Sequence, residues 1–270
     1  MDKTSLGDRM KKNYEQRSKT KLTRRMPVIL RLDGVAFHTY TKGMDRPFDE
    51  ALMFFMAETT QKLCEKIQGA TFAYQQSDEI SILLKDYNKI TSDAWFDYNV
   101  QKMCSVAASM ATRLFSDLIN HYLYDESFDQ FISFWEFPKE GISKEEIKER
   151  YKRFKREAFF DCRAFNIPKE EVTNYFIWRQ QDATRNSIQM VGQSNFSSKE
   201  LHGKSCNVIQ DMLFKEKGIN WNDLSNDKKR GISVYREKQE ERSGFITNHH
   251  IPIFTQDRKF IEKWLEPEKE

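Results

Sequence analysis

Two aspartates stand where short apolar runs meet polar ones. Asp33 follows Val28-Ile29-Leu30-Arg31-Leu32 and precedes Gly34, and Asp78 lies in the polar stretch Gln75-Gln76-Ser77-Asp78-Glu79. Acids brought together in this way suit phosphoryl chemistry. Nucleotidyl transfer displaces pyrophosphate by in-line attack, and two Mg²⁺ ions roughly 3.5–4 Å apart stabilise the attacking and leaving oxygens. Magnesium takes hard oxygen ligands, commonly one or two carboxylates, with phosphate oxygens and water completing the shell. Gly34 has no side chain, so its backbone can approach a metal or a phosphate closely. A plainer reading stays open at this level. Asp-Gly is a common turn, and Ser77-Asp78-Glu79 would serve as an exposed hairpin tip.

The acids meet only if the surrounding elements bring them together. Residues 28–32 read as a strand, and 49–68 as a helix with Leu52, Phe55, Met56, Thr59, Leu63 and Ile67 on one face. Thr71–Tyr74 and Ile80–Leu84 read as a hairpin that carries Asp78 at its turn. Residues 96–119 suit a second long helix, with Ala107, Ala108 and Ala111 letting it approach a sheet. Residues 143–157 read as a charged surface helix, Phe159–Ile167 as a strand and Lys169–Val191 as a helix. A polar loop over Gly192–Gly203, a helix near 204–216 and a mixed tail complete the chain. The order β-α-β-β-α-β is the split βαβ, ferredoxin-like arrangement. Its first and third strands are central neighbours, which would place Asp33 beside Asp78, as polymerase palm domains place their metal-binding acids. The expected fold is therefore α+β: a palm-like antiparallel sheet, helices on one face, and added C-terminal helices. The expected organisation is a first part of the core over 1–135, a charged helical insertion over 136–157 and the remainder over 158–270, together one structural domain.

Composition narrows the class without deciding it. A chain of 270 residues with 39% hydrophobic content can bury a core. Lys+Arg at 44 nearly cancels Asp+Glu at 41, so net charge neither requires nor excludes nucleic acid. The cysteines, at 64, 104, 162 and 206, form no CxxC pair, which argues against zinc and fits reduced thiols. No apolar run approaches the roughly 20 residues of a membrane helix. The basic N-terminus lacks a signal-peptide core, and Asp2, Asp8 and Glu15 argue against a transit peptide. The expectation is a soluble, cytoplasmic protein with no membrane partner.

Three blocks carry a resemblance. Arg31-Leu32-Asp33-Gly34 with Phe37-His38, then Gln76-Ser77-Asp78-Glu79, then Trp178-Arg179-Gln180-Gln181-Asp182 together resemble, in order, the signature of the tRNA-His guanylyltransferase family. Phe160-Asp161-Cys162-Arg163 falls where that family has a similar strand, so the resemblance spans roughly residues 25–190. It implies reverse-direction chemistry, in which the 3′-hydroxyl of an incoming nucleotide attacks an activated RNA 5′ end. It implies Asp33, Asp78 and the Gly34 carbonyl as ligands of two Mg²⁺ ions, with Glu79 in support. It implies Asp33, Gly34, Val35, Ala36, Phe37, His38, Ser77, Asp78 and Asn186 at the nucleotide and triphosphate. Arg46 stands where the family often has a lysine near the triphosphate, and Lys102 matches a basic position on the second helix. The family also implies tRNA, GTP and ATP as partners, and a homotetramer.

The resemblance has one marked departure. The eukaryotic guanylyltransferases carry a His-Ile-Asn-Asn block where this chain has Ala183-Thr184-Arg185-Asn186-Ser187, and only Asn186 matches. The stretch Ser197–Ser205 looks like the bacterial and archaeal guanylyltransferase-like branch, whose members resemble template-dependent 3′-to-5′ polymerases that repair truncated tRNAs. Repair of tRNA 5′ ends is therefore the expected function. The alternatives are G addition to tRNA-His, a catalytically silent tRNA-binding palm, and a palm enzyme acting on free nucleotides. Lys199, His202, Lys204 and the basic run over 9–25 are the candidate tRNA contacts.

Overall fold

The computed structural model describes residues 5–124, 146, 149, 157–238 and 243–267. The charged helix expected over 143–157 lies almost wholly outside these residues. Six strands form one antiparallel sheet: β1 Val28–Gly34, β2 Ala70–Gln76, β3 Glu79–Leu84, β4 Phe160–Asn166, β5 Ile232–Lys238 and β6 Ser243–Asn248. Their order is β4-β1-β3-β2-β5-β6. The first four strands have the expected split βαβ order, and β1 and β3 are neighbours.

Alternation along the strands divides the sheet into two faces. Leu30 and Leu32 of β1 and Ile80 and Ile82 of β3 point to one face. There they pack on helix α1, Glu50–Lys66, and helix α2, Val100–Tyr124. Asp49 starts α1 by accepting the Leu52 amide at 3.0 Å, an N-cap that satisfies one otherwise orphaned donor. Ala107 and Ala111 are fully buried, so α2 lies close against the sheet as the small residues suggest. The other face presents Ile29, Phe72 and Leu83. It is closed by Val172 and Phe176 of helix α3, Lys169–Asn195, with Phe254 and Ile261 from the C-terminal segment. The second half of α3 leaves the sheet and packs through Ile188 and Val191 on Ile209 and Leu213 of helix α4, Cys206–Lys217.

Two expectations need correction. The loop expected from Gly192 is instead the last turn of α3, followed by a short helix, Ser198–Leu201, held by a Ser197–Glu200 capping box. Gly192 does not stop the helix. A Cβ there would come within 2.8 Å of Ile209 Cγ2, so the glycine lets α4 approach α3. The mixed tail contains β5 and β6. This hairpin adds two strands to the outer side of β2 and covers what would otherwise be an open edge.

Candidate active site

Asp33 and Arg31 occupy the α3 side of β1, because Leu30 and Leu32 take the other. In the register Asp33 faces Glu79, and Asp78 precedes Glu79 in the turn. Ser77 holds that turn with φ of 50°, in the left-handed region, while its carbonyl accepts Gln75 Nε2 at 2.7 Å. The Ser77 hydroxyl donates to Asp78 Oδ1 at 3.0 Å. The two aspartates thus meet at the ends of adjacent central strands. Burial pushes the Asp78 carboxyl above its ordinary value, and the negative charge of Asp33 adds to the push.

Glu79 has a different environment. Both its oxygens are held by Arg179 of α3, at 2.6 Å to Nε and 2.6 Å to Nη2, and Arg31 donates to Oε2 at 2.7 Å. Arg179 is 3% exposed and is steadied by Asp182 at 2.9 Å. Burial raises the Glu79 pKa, while the two guanidiniums pull it back. Glu79 therefore anchors the strand end to α3, a positioning role consistent with the support expected of it. Arg31 balances Glu79 rather than Asp33.

A cleft wraps around the Ser77–Asp78 turn. One lobe, of about 540 Å³, runs from Gly34 and Asp78 past Ala36 and His38 to Arg46. That volume lies in the usual range for small-molecule sites. A second lobe, of about 360 Å³, lies between Asp33, Asp78 and α3, where Asn186, Gln189 and Gln193 form the wall. A third extends beyond Arg46 to Asp49, Lys228 and Lys229. Gly34, Ala36, His38, Arg46, Ser77 and Asn186 thus border the cleft together with the acids.

Phe37 borders the lobe beside Gly34 but is otherwise part of the core, and Val35 and Lys102 border none of the three lobes. Phe37 is 4% exposed and belongs to the core between the sheet, α1 and α2. Its ring also explains Gly34, since a Cβ there would lie 2.2 Å from Phe37 Cδ2. Val35 is half-exposed, with its amide tied to the Phe159 carbonyl at 2.8 Å. Lys102 is at the wrong end of α2. Its ammonium lies over the Phe96 ring, whereas Thr112, ten residues and roughly 15 Å further along the helix, is the residue that meets Phe160 opposite Gly34. Lys199, His202 and Lys204 are exposed on and after the short helix that follows α3, and none borders these three lobes. Within the basic run, Lys21 pairs with Asp97 and Arg24 Nε with Asp86 at 2.7 Å, so these two serve the fold.

The sequence reading missed Gln189, Gln193, Lys228 and Lys229. The first two follow Asn186 at helical spacing, and Lys228-Lys229-Arg230 is a visible basic triplet.

Two juxtaposed carboxylates with no cation of their own fit a divalent metal. Among the described residues no lysine or arginine pairs with Asp33 or Asp78, and the nearest guanidiniums are committed to Glu79. Hard carboxylate oxygens with a backbone carbonyl at Gly34 match what magnesium takes when phosphates complete its shell. No cluster of three or more His, Cys, Asp or Glu with metal-binding geometry occurs among the described residues. The donor set therefore suits an ion that arrives with a phosphate ligand rather than a closed protein cage.

The sequence profile of the tRNAHis guanylyltransferase family matches residues 7–168. The chain belongs to that family. Membership makes it a nucleotidyltransferase, and the acids at the ends of β1 and β3 lie inside the matched span. The tRNA(His) guanylyltransferase of Debaryomyces hansenii is 27% identical over 230 residues, covering 80% of this chain and 76% of the relative. The Saccharomyces cerevisiae enzyme is 24% identical, covering 78% of this chain and 82% of its own. A solved bacterial tRNA(His) guanylyltransferase-like protein in complex with ATP shares 43% identity with a TM-score of 0.81, covering 98% of this chain and 100% of that one. A second such structure, in complex with GTP, shares 40% identity with a TM-score of 0.73, covering 97% of this chain and 99% of that one. Among the described residues no helix is long and apolar enough to cross a membrane.

Proposed function

We propose that the chain adds a nucleotide to the 5′ end of a tRNA, with Asp33 and Asp78 at the reacting phosphates. The observation that carries this reading is the pair of neighbouring carboxylates at the cleft, with no lysine or arginine paired to them among the described residues, in a chain of this family. Asp33, Asp78 and the Gly34 carbonyl would hold two Mg²⁺ ions, which when bound neutralise the oxygens where bonds form and break. The protein's own contribution is positional. Arg46 shares the largest of these lobes with Asp78 and supplies a fixed cation for a triphosphate. The Ser77 hydroxyl and the polar wall at Asn186 orient the nucleotide, and the Glu79–Arg179 anchor keeps the strand ends in register. The 3′-hydroxyl of the incoming nucleotide attacks the α-phosphorus of a 5′-triphosphate end, and pyrophosphate leaves; on a 5′-monophosphate end, transfer of AMP from ATP releases pyrophosphate first, and the attack then expels AMP. ATP and GTP are the nucleotides named with the two similar bacterial structures, and both are proposed here as substrates. A homotetramer is part of the same proposal, which light scattering of the purified chain tests.

G addition to tRNA(His) is the first reading of specificity, because the curated relatives described above are named for it. This reverses the order expected from sequence. Templated repair remains a second reading on two observations. Thr184 stands where the eukaryotic block has histidine, and identity to the bacterial guanylyltransferase-like structure is 43%, against 27% for the Debaryomyces enzyme.

The deciding assay offers full-length and 5′-truncated tRNA(His), and a truncated tRNA of another type, with each NTP in turn. G added to tRNA(His) alone, whatever base stands opposite, supports the first reading. Addition to the other tRNA that follows the opposing base supports the second. No addition to any tRNA in the presence of Mg²⁺ defeats both.

A further inference from the structure

The block Trp178–Asp182 is mostly accounted for by the fold. Arg179 holds Glu79, Asp182 holds Arg179, and Gln180 is buried, donating to the Pro252 carbonyl at 2.9 Å and accepting the Phe254 amide at 2.8 Å. Trp178 is not accounted for. It is 51% exposed, an unusual state for the largest apolar side chain. Its ring lies against two cations, with the Arg179 guanidinium carbon 4.4 Å and that of Arg31 5.9 Å from the ring centroid. Tyr175 meets it edge-on at 5.8 Å. The ring is therefore fixed in place from within, and about half of its surface faces solvent.

The place matters as much as the exposure. Arg31 precedes Asp33 by two residues, roughly 7 Å along the strand, and the ring lies against the Arg31 guanidinium on that same face. Across β1, Arg31 is in register with Arg163 of β4, whose side chain is 58% exposed and only loosely paired, 3.9 Å from Asp161. Among the described residues β4 is the outer strand on this side, so this surface opens sideways from the acidic centre. A rigid indole beside an exposed arginine, next to a phosphoryl-transfer site, is the combination that binds unpaired nucleotides. Bases stack on aromatic faces irrespective of sequence, and arginine meets the phosphates.

We propose that the exposed face of Trp178 stacks an unpaired base at the end of the RNA substrate, with Arg163 at the adjoining phosphate. Stacking holds the RNA end beside Asp33 and Asp78, while the incoming nucleotide occupies the lobe toward Arg46. The inference rests on the proposed action on tRNA and names a contact for it.

The test compares Trp178→Ala, Trp178→Phe and Arg163→Ala with the wild-type chain, reading KM for tRNA, KM for ATP and kcat separately. Trp178→Ala is expected to raise the KM for tRNA about tenfold, as the loss of one base stack does. Trp178→Phe recovers most of that loss, Arg163→Ala shows a smaller rise that fades with added salt, and the KM for ATP stays unchanged in all three. A purely structural Trp178 would lower kcat through Arg179 and leave the KM for tRNA alone, and that result overturns the proposal. So does an equal rise in the KM for ATP, which would place the nucleotide's own base on the ring. A change of oligomeric state on Trp178→Ala overturns it too, by making the ring a subunit contact. As a measurement on the unaltered site, a short single-stranded oligonucleotide should quench wild-type tryptophan fluorescence more than that of Trp178→Phe; equal quenching counts against stacking. Wild-type inactivity on every tRNA would sink the underlying reading instead, so the two failures are distinguishable.

Discussion

Glu79 and Arg179 meet in a two-point contact, 2.6 Å at each end, that joins the centre of the sheet to the helix across its face. Neither side chain is more than 7% exposed, so both charges have left water and rest mainly on each other, with Arg31 and Asp182 as the further partners. Removing one partner of such a pair strands the other, at a cost of about 3–5 kcal/mol. Arg179→Met should lower the free energy of unfolding by that order in urea titrations. A loss below about 1 kcal/mol would show that Arg31 alone suffices for Glu79.

Asp33 and Asp78 should separate activity from stability. Asp33→Asn and Asp78→Asn are each expected to reduce nucleotide addition on the order of 100-fold or more, since metal-assisted charge stabilisation is worth several kcal/mol. The folded pKa of Asp78 is raised, so its ionised form opposes folding at neutral pH. Asp78→Asn should therefore melt at or above the wild-type temperature while losing activity. Near-wild-type addition by either folded variant would refute the assignment of these acids.

Arg46 and Lys102 make a contrasting pair. Arg46→Ala is expected to raise the KM for NTP about tenfold, because the cation sharing the lobe with Asp78 is lost. Lys102→Ala should leave kcat and KM within about twofold of wild type, because its ammonium lies over Phe96 at the far end of α2. Similar defects in both variants would contradict this placement.

Asp227 should contribute a pH-dependent increment of stability. Burial alone would raise its pKa, but hydrogen bonds from His249, Ser225 and the Lys228 amide outweigh burial and hold it at about 2, against an ordinary 3.8. A depressed carboxyl stabilises the fold above its unfolded pKa. That contribution is lost as pH falls from about 4 to about 2. Asp227→Asn should thus cost about 1 kcal/mol near neutrality, after allowance for solvent screening. The difference from wild type should vanish near pH 2, and denaturant midpoints measured across that window provide the check.

The parts legible in the sequence were those with local signals. The apolar run ending at Asp33-Gly34, the polar hairpin at Asp78 and the helical spacing in α1 and α2 led to the split βαβ order, and that order brought the two acids together. What stayed hidden depends on distant partners. Glu79 and Arg179 are 100 residues apart, and nothing near either one signals the other. Gly34 reads as a phosphate-approach glycine, yet its immediate constraint is the Phe37 ring three residues on. β5 was missed because Ser233, though fully buried, interrupts what would otherwise be a continuous apolar run over Ile232–Tyr235. Lys102 was misplaced because a matching position on a helix says nothing of which end of a 25-residue rod faces the site.

The position of β1 and β3 within the sheet has a consequence for how the protein comes apart. Each is flanked on both sides, β1 by β4 and β3, and β3 by β1 and β2. Their amides have no local route to solvent, whereas β6 pairs with β5 alone among the described residues and can detach first. Hydrogen–deuterium exchange at Leu30, Leu32, Ile80 and Ile82 should accordingly report the global opening free energy, and exchange along β6 a smaller one. On warming, the carboxylate pair would then keep its spacing after the outer hairpin has frayed, since the strands that carry it are among the last to open.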